Sequence, residues 1–192
     1  MHNEKTNMGD TCSVTVGRGA THSEGVQMHG RYDVVCHGAD GVLKWEDSID
    51  NLVTVTGKML TLTGALTNAA QGAAFMGLKG TGTESVDDTQ VSHATWLEVG
   101  STNAPSYTSP RKTIIWAAAA NATPSATITP TTVQVFSMTG SGTVAGCFIN
   151  VGGTSAILNT TGTLFSAGDF TAGSKTVTSG DTLSVTYTAT AA

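Results

Sequence analysis

The strongest constraint on this chain's fold is an alternation near residue 190, where Leu183, Val185, Tyr187 and Ala189 interleave with Ser184, Thr186, Thr188 and Thr190. A period of two puts the apolar side chains on one face of an extended strand and the hydroxyls on the other, so this strand belongs to a sheet with one buried and one hydrated face. Ala145, Cys147, Ile149 and Val151 make a second apolar face of the same kind. Turn-forming steps at Gly140-Ser141-Gly142 and Ser179-Gly180-Asp181 punctuate the region, and the glycine cluster from Gly140 to Gly146 reads as a hairpin loop rather than a phosphate cradle. Between such steps the predicted strands are Lys112 to Ala118, Thr131 to Met138, Thr143 to Val151, Gly162 to Phe165, Lys175 to Val177 and Leu183 to Ala189. Threonine outnumbers Asp, Glu, Lys and Arg combined, a bias toward strands and turns. The expected fold is all-β, an antiparallel β-sandwich or jelly-roll-like architecture with one short helix and an extended N-terminal arm.

Upstream, Tyr32, Val34 and Cys36 alternate with Asp33, Val35 and His37, and Asp40-Gly41 precedes Val42, Leu43, Lys44 and Trp45. This predicts a β-hairpin, because the Asp-Gly step supplies the positive φ of a tight turn. After Asn51 the period changes: Val55, Met59, Leu62 and Leu66 recur at four, three and four residues, along one side of a helix that Thr56 is placed to cap. The glycines and threonines within it oppose that helix, so a strand is the competing reading. From Gln71 to Ser101 the pattern is strand, Gly-Thr-rich loop and short strand, and Pro105 and Pro110 mark a long surface connection. Residues 1–30 are polar and glycine-dotted, with one alternating piece around Cys12, Val14 and Val16. They are expected to form an arm that contacts a partner through Cys12, Val14, Val16 and Met28, while 31–192 form a single β-sandwich domain.

The functional classes narrow by elimination. A net charge of −5 without clustered Lys or Arg argues against nucleic acid as a partner. No stretch reaches the roughly 18 apolar residues of a membrane span, and the opening residues have no adjoining signal-like core, so synthesis in a cytoplasm and no membrane partner are expected. Cys12, Cys36 and Cys147 form no CxxC pair and are expected as reduced thiols, with Cys36 and Cys147 packed as small apolar residues. There is no GxSxG elbow, and Asp87, Asp88, His93 and Glu98 match no metal-loop spacing. The same acidic residues offer no defined carboxylate pair for glycoside cleavage. Trp45, Trp96 and Trp116 sit in apolar strand contexts and are expected mostly in the core. The expectation is a protein that is not an enzyme and uses no cofactor and no metal.

The stretch from Tyr32 to Asp47, followed by Asn51-Leu-Val53 and Gly57-Lys58, resembles small virion proteins of tailed bacteriophages. The similarity continues through Phe75-Met-Gly-Leu78, Trp96, Gly100 to Pro105, Tyr107, Arg111-Lys-Thr113 and Trp116. It ends in Gly146-Cys-Phe-Ile149, Gly162 to Gly168 and Ser179 to Tyr187, so it spans about residues 31 to 190. The resemblance implies a structural role on the capsid exterior of a virion: a decoration or cement protein that binds the major capsid protein and forms homo-oligomers, dimers or trimers. It carries over no catalytic residue. The alternative is a tail-fibre, tail-tip or head-fibre module that binds host surface carbohydrate through the 79–110 loops.

Overall fold

The computed structural model describes residues 26–192. In chain order its elements are β1 (Met28–His37), β2 (Leu43–Asp50), β3 (Leu52–Val53), α1 (Val55–Thr67), β4 (Ala74–Lys79), β5 (Glu98–Val99), β6 (Lys112–Ile114) and β7 (Ala120–Ala122). There follow β8 (Ser125–Ile128), β9 (Gln134–Ser137), β10 (Gly142–Val144), β11 (Gly146–Val151), β12 (Thr163–Asp169), β13 (Lys175–Val177) and β14 (Thr182–Ala191). All strand pairings between these elements are antiparallel.

Two six-stranded sheets make an all-β sandwich. The first runs β2-β1-β14-β8-β7, with β9 also paired to β14; the second runs β3-β12-β11-β4-β5, with β6 also paired to β4. Between them lies one apolar core, to which β1 gives Tyr32, Val34 and Cys36, β14 gives Leu183, Val185 and Tyr187, β4 gives Met76 and Leu78, and β11 gives Cys147 and Ile149. Where the sheets meet, the Tyr32 and Tyr187 rings lie 4.5 Å apart. The Tyr32 hydroxyl is 2.8 Å from Ser166 Oγ, and Asn51 Nδ2 donates to the Tyr187 hydroxyl at 3.0 Å. Burial pushes the Tyr187 hydroxyl up to about 12, so the pair remains neutral and hydrogen-bonded.

The alternations become the two faces of the first sheet: Val34 pairs with Val185 and Tyr32 with Tyr187 inside, while Asp33 pairs with Thr186 and Arg31 with Thr188 outside. Gly41 turns the β1–β2 hairpin at φ 77°, and Asp40 Oδ1 accepts from the Val42 amide at 3.0 Å. The second sheet is covered on both faces: all six residues of β4 are buried, and Phe148, Leu164 and Ala167 form a smaller core with Trp96 of the long 80–97 connection. Cys36 and Cys147 are buried free thiols. Trp96 is buried, and Trp45 and Trp116 pack half-buried on the main core.

Several expectations are corrected. The 143–151 stretch is two strands, because Ala145 leaves the line to hydrogen-bond Lys79 and Phe170, and β10 then pairs with β13 instead of the second sheet. Gly140 to Gly142 is therefore a crossover between sheets, not a hairpin loop. The strand expected over 112–118 ends at Ile114, and the one expected over 162–165 extends to Asp169. β7 and β8 add to the expected strands; their sequences carry no alternation, and β8 is positioned by pairing to β14 and β7 by pairing to β8. β1 begins at Met28, so residues 28–30 belong to the sheet. Cys12, Val14 and Val16 lie outside the described residues.

Candidate protein interface

α1 forms where the periodicity places it, but its cap is Thr54, not Thr56. Thr54 keeps an extended backbone, φ −68° and ψ 163°, and its Oγ1 accepts from the Gly57 amide at 3.0 Å, which only a residue outside the first turn can do. Thr56 instead donates to the Leu164 carbonyl at 3.0 Å and ties the helix to β12. Asn68 ends the helix in the left-handed conformation at φ 52°.

The face that α1 turns to the sandwich carries two glycines, a threonine and a leucine. Gly57 is buried, and Leu60, Thr61 and Gly64 are half-buried. Gly57 is required there: a Cβ would lie 2.2 Å from the Phe165 carbonyl oxygen. At about 100° per residue, the stripe of Val55, Met59, Leu62 and Leu66 points the opposite way. These four are 42%, 61%, 60% and 80% exposed. Amphipathic surface helices bury such a stripe against their own core; this helix presents it to solvent. The four side chains together expose roughly two and a half whole residues' worth of surface, about 4–7 kcal/mol of unrealised burial. Scattered exposed hydrophobics need no explanation, but an aligned row on one helix marks a contact surface.

Two grooves flank the helix. One, about 420 Å³ and largely apolar, lies between α1, Met28, Trp116 and Ile128; the other, about 430 Å³, lies between α1, Gln71 and Val151. Of the expected contact residues, Met28 is the one described; it is half-buried, pairs with Ala191 and lines the first groove.

Within the acidic stretch Asp88 and Glu98 are buried in packing, while Asp87 is exposed. Asp88 accepts from Trp96 Nε1 at 2.9 Å and from the Ser85 amide at 2.9 Å. Glu98 forms a bidentate pair with Arg111, Nε and Nη2 each donating at 2.7 Å, and both side chains are buried. The Leu158 amide also donates to Glu98, while Arg111 donates to the carbonyls of Thr154 and Asn159, so this pair clamps the 152–162 connection over the second sheet. Among the described residues no three His, Cys, Asp or Glu side chains gather as a metal site. Trp45, Trp96 and Trp116 pack against different rings, Phe170, Phe148 and Tyr187, in edge-on or tilted contacts, and Trp96 also stacks on His93. No described helix is long and apolar enough to cross a membrane.

The sequence located the stripe but not its direction. The available signal was the opposite face, where Gly57, costly within a helix, sits at the point of closest approach to Phe165. No protein-family model, curated protein or solved structure matches the chain.

Proposed function

We propose that this chain is a bacteriophage structural protein that decorates an icosahedral capsid by binding the lattice of major capsid protein. The observation that carries this reading is the outward apolar stripe of α1 on a sandwich whose charged residues are only 12% of the chain. A surface of this kind is suited to burial against other protein molecules, with few charges to desolvate and little repulsion between neighbouring copies. A ligand that binds only the assembled shell stabilises it by linkage, and repeated weak contacts gain strength through multivalency.

Co-sedimentation of the purified protein with mature capsids and unexpanded procapsids of the encoding phage tests this. Saturable binding to mature shells at a fixed ratio to coat protein is the expected result. No binding to either shell removes the decoration role.

A second reading, a tail-fibre, tail-tip or head-fibre module for host carbohydrate, draws on a cavity of about 220 Å³ lined by Gln90, His93, Glu98 and Asn159 among others. Gln90 is 2% exposed, its Nε2 donates to the Asn159 carbonyl, and its Oε1 is buried without a partner, an acceptor suited to a sugar hydroxyl. Glycan-array binding lost on Gln90→Leu would favour it over decoration.

A further inference from the structure

We infer that α1 joins two copies of this chain about a two-fold axis, with the helices antiparallel and their apolar stripes in contact. The inference rests on the assembly reading in taking α1 as a protein interface, and goes beyond it in assigning the stripe to a second copy of this chain, which leaves the low-charge sandwich surface to meet the coat protein.

The spacing of the stripe is its own mirror image. Val55, Met59, Leu62 and Leu66 are separated by four, three and four residues, so their centre falls between Leu60 and Thr61. A two-fold axis through that point sets Val55 against Leu66 of the partner subunit and Met59 against Leu62 of the partner subunit. Every apolar residue then meets an apolar residue, which is the self-complementarity that a two-fold interface demands. The four-three-four spacing is also that of a coiled-coil seam, the pattern that packs against a second helix of the same kind.

Direction and width favour one partner helix. The four side chains lie within an arc of about 60° at 100° per residue, a narrow seam rather than the broad face that a core helix buries. Because the seam lies opposite the face seated on β12, the two sandwiches stand on opposite sides of the helix pair and do not collide. The seam carries no charge, and Lys58 is the single charged residue of α1. An antiparallel pair keeps the two Lys58 residues about 7.5 Å apart along the axis at a rise of 1.5 Å per residue, whereas parallel packing brings them level. The stripe covers on the order of 400 Å² per copy, the size of the largest apolar patch on a typical monomer, which is often functional. That is about half of the roughly 800 Å² per partner in a standard interface, which places the contact among weak, transient associations.

Sedimentation velocity on the full chain from about 1 to 100 µM reads the association directly. The expected result is a monomer–dimer equilibrium that Met59→Glu/Leu62→Glu weakens by a hundredfold or more. Both positions are exposed among the described residues, so the described fold should be retained, as circular dichroism would verify. Register is read by oxidation in a Cys12→Ser background, since Cys36 and Cys147 are buried. A mixture of Val55→Cys and Leu66→Cys chains should form a reducible dimer that neither forms alone, since like positions lie roughly 16 Å apart along the axis at a rise of 1.5 Å per residue. Self-cross-linking of either variant alone indicates parallel packing and overturns the geometry. A chain that stays monomeric at 100 µM overturns the inference. If that monomer also loses capsid binding on Met59→Glu, the stripe belongs to the coat protein; if instead its melting temperature falls, the stripe is covered by the protein's own residues 1–25. Since association is read without capsids, its failure and the failure of the decoration reading are separate results.

Discussion

Replacing Gly57 with alanine puts the seating of α1 to a direct test, because helix propensity and packing predict opposite signs. In an exposed helix interior, Gly→Ala stabilises by about 1 kcal/mol. At Gly57 the new Cβ would lie 2.2 Å from the Phe165 carbonyl oxygen, 2.9 Å from its carbon and 3.0 Å from Cα. All three are backbone atoms, so no rotamer change relieves the clash, and the helix must lift from β12. Lifting strains the hydrogen bonds from Thr54 and Thr56 to the Leu164 carbonyl, each worth about 1 kcal/mol. Overpacking itself costs about 1–3 kcal/mol. The propensity gain offsets one part of this, leaving Gly57→Ala destabilised by about 2–4 kcal/mol. The internal control is Gly64→Ala. Its Cβ would meet the end of the Gln71 side chain at 2.7 Å, a group that can move aside, so that variant should be neutral or more stable by up to about 1 kcal/mol. Urea unfolding with unchanged m-values measures both. In thermal unfolding, 2–4 kcal/mol corresponds to a fall of very roughly 4–16 °C for a domain of this size. A Gly57→Ala chain as stable as the parent would refute the seating of α1 on β12, and with it the outward direction of the stripe.

Two further perturbations address the buried charges. Arg111→Met leaves Glu98 buried without its bidentate partner and should cost about 3–5 kcal/mol in urea unfolding; adding Glu98→Leu should recover part of that loss, and strict additivity of the two would disprove the coupling. Asp181 and Asp47 both sit below the ordinary carboxylate range: burial opposes their charge, but hydrogen bonds from Lys44 and Thr178 to Asp181, and from Lys175, Ser48 and Ala172 to Asp47, outweigh it. Their contribution is therefore complete above the unfolded carboxylate range and is lost as pH falls through the lower folded values. Stability should decline below about pH 4, and Lys44→Met should flatten that decline. An acid limb unchanged in Lys44→Met would show that Asp181 does not supply it.

The parts of this fold legible in sequence are those whose residues answer to their near neighbours. The β1–β2 hairpin follows from Asp40-Gly41 between alternating strands, and β14 from eight residues of strict period two. What was hidden depends on distant partners. β7 and β8 have no pattern of their own and exist because the end of β14 offers them a free edge. Glu98 and Arg111, 13 residues apart with a proline-rich connection between them, read as loop charges until β5 and the 152–162 connection enclose them. The α1 stripe is the sharpest case: periodicity locates a row of apolar residues, but the side facing the core was decided by Gly57, which alone can approach Phe165. An apolar stripe thus records where a helix meets protein, in its own chain or in another.

The position of β14 governs how this molecule can fold. It lies at the centre of the first sheet, holding β1 along one edge and both β8 and β9 along the other, with pairing as distant as Met28 to Ala191. Until that strand docks, the β1–β2 hairpin, β7–β8 and β9 have no common partner, and closing so long a loop costs entropy before any contact compensates it. The first sheet therefore completes late, on the slow millisecond-to-second timescale of non-local β topologies. In that interval the edge of β1 stands open to strands from other molecules, so the same surface logic that favours ordered assembly makes rapid refolding at high concentration the condition under which this chain should aggregate.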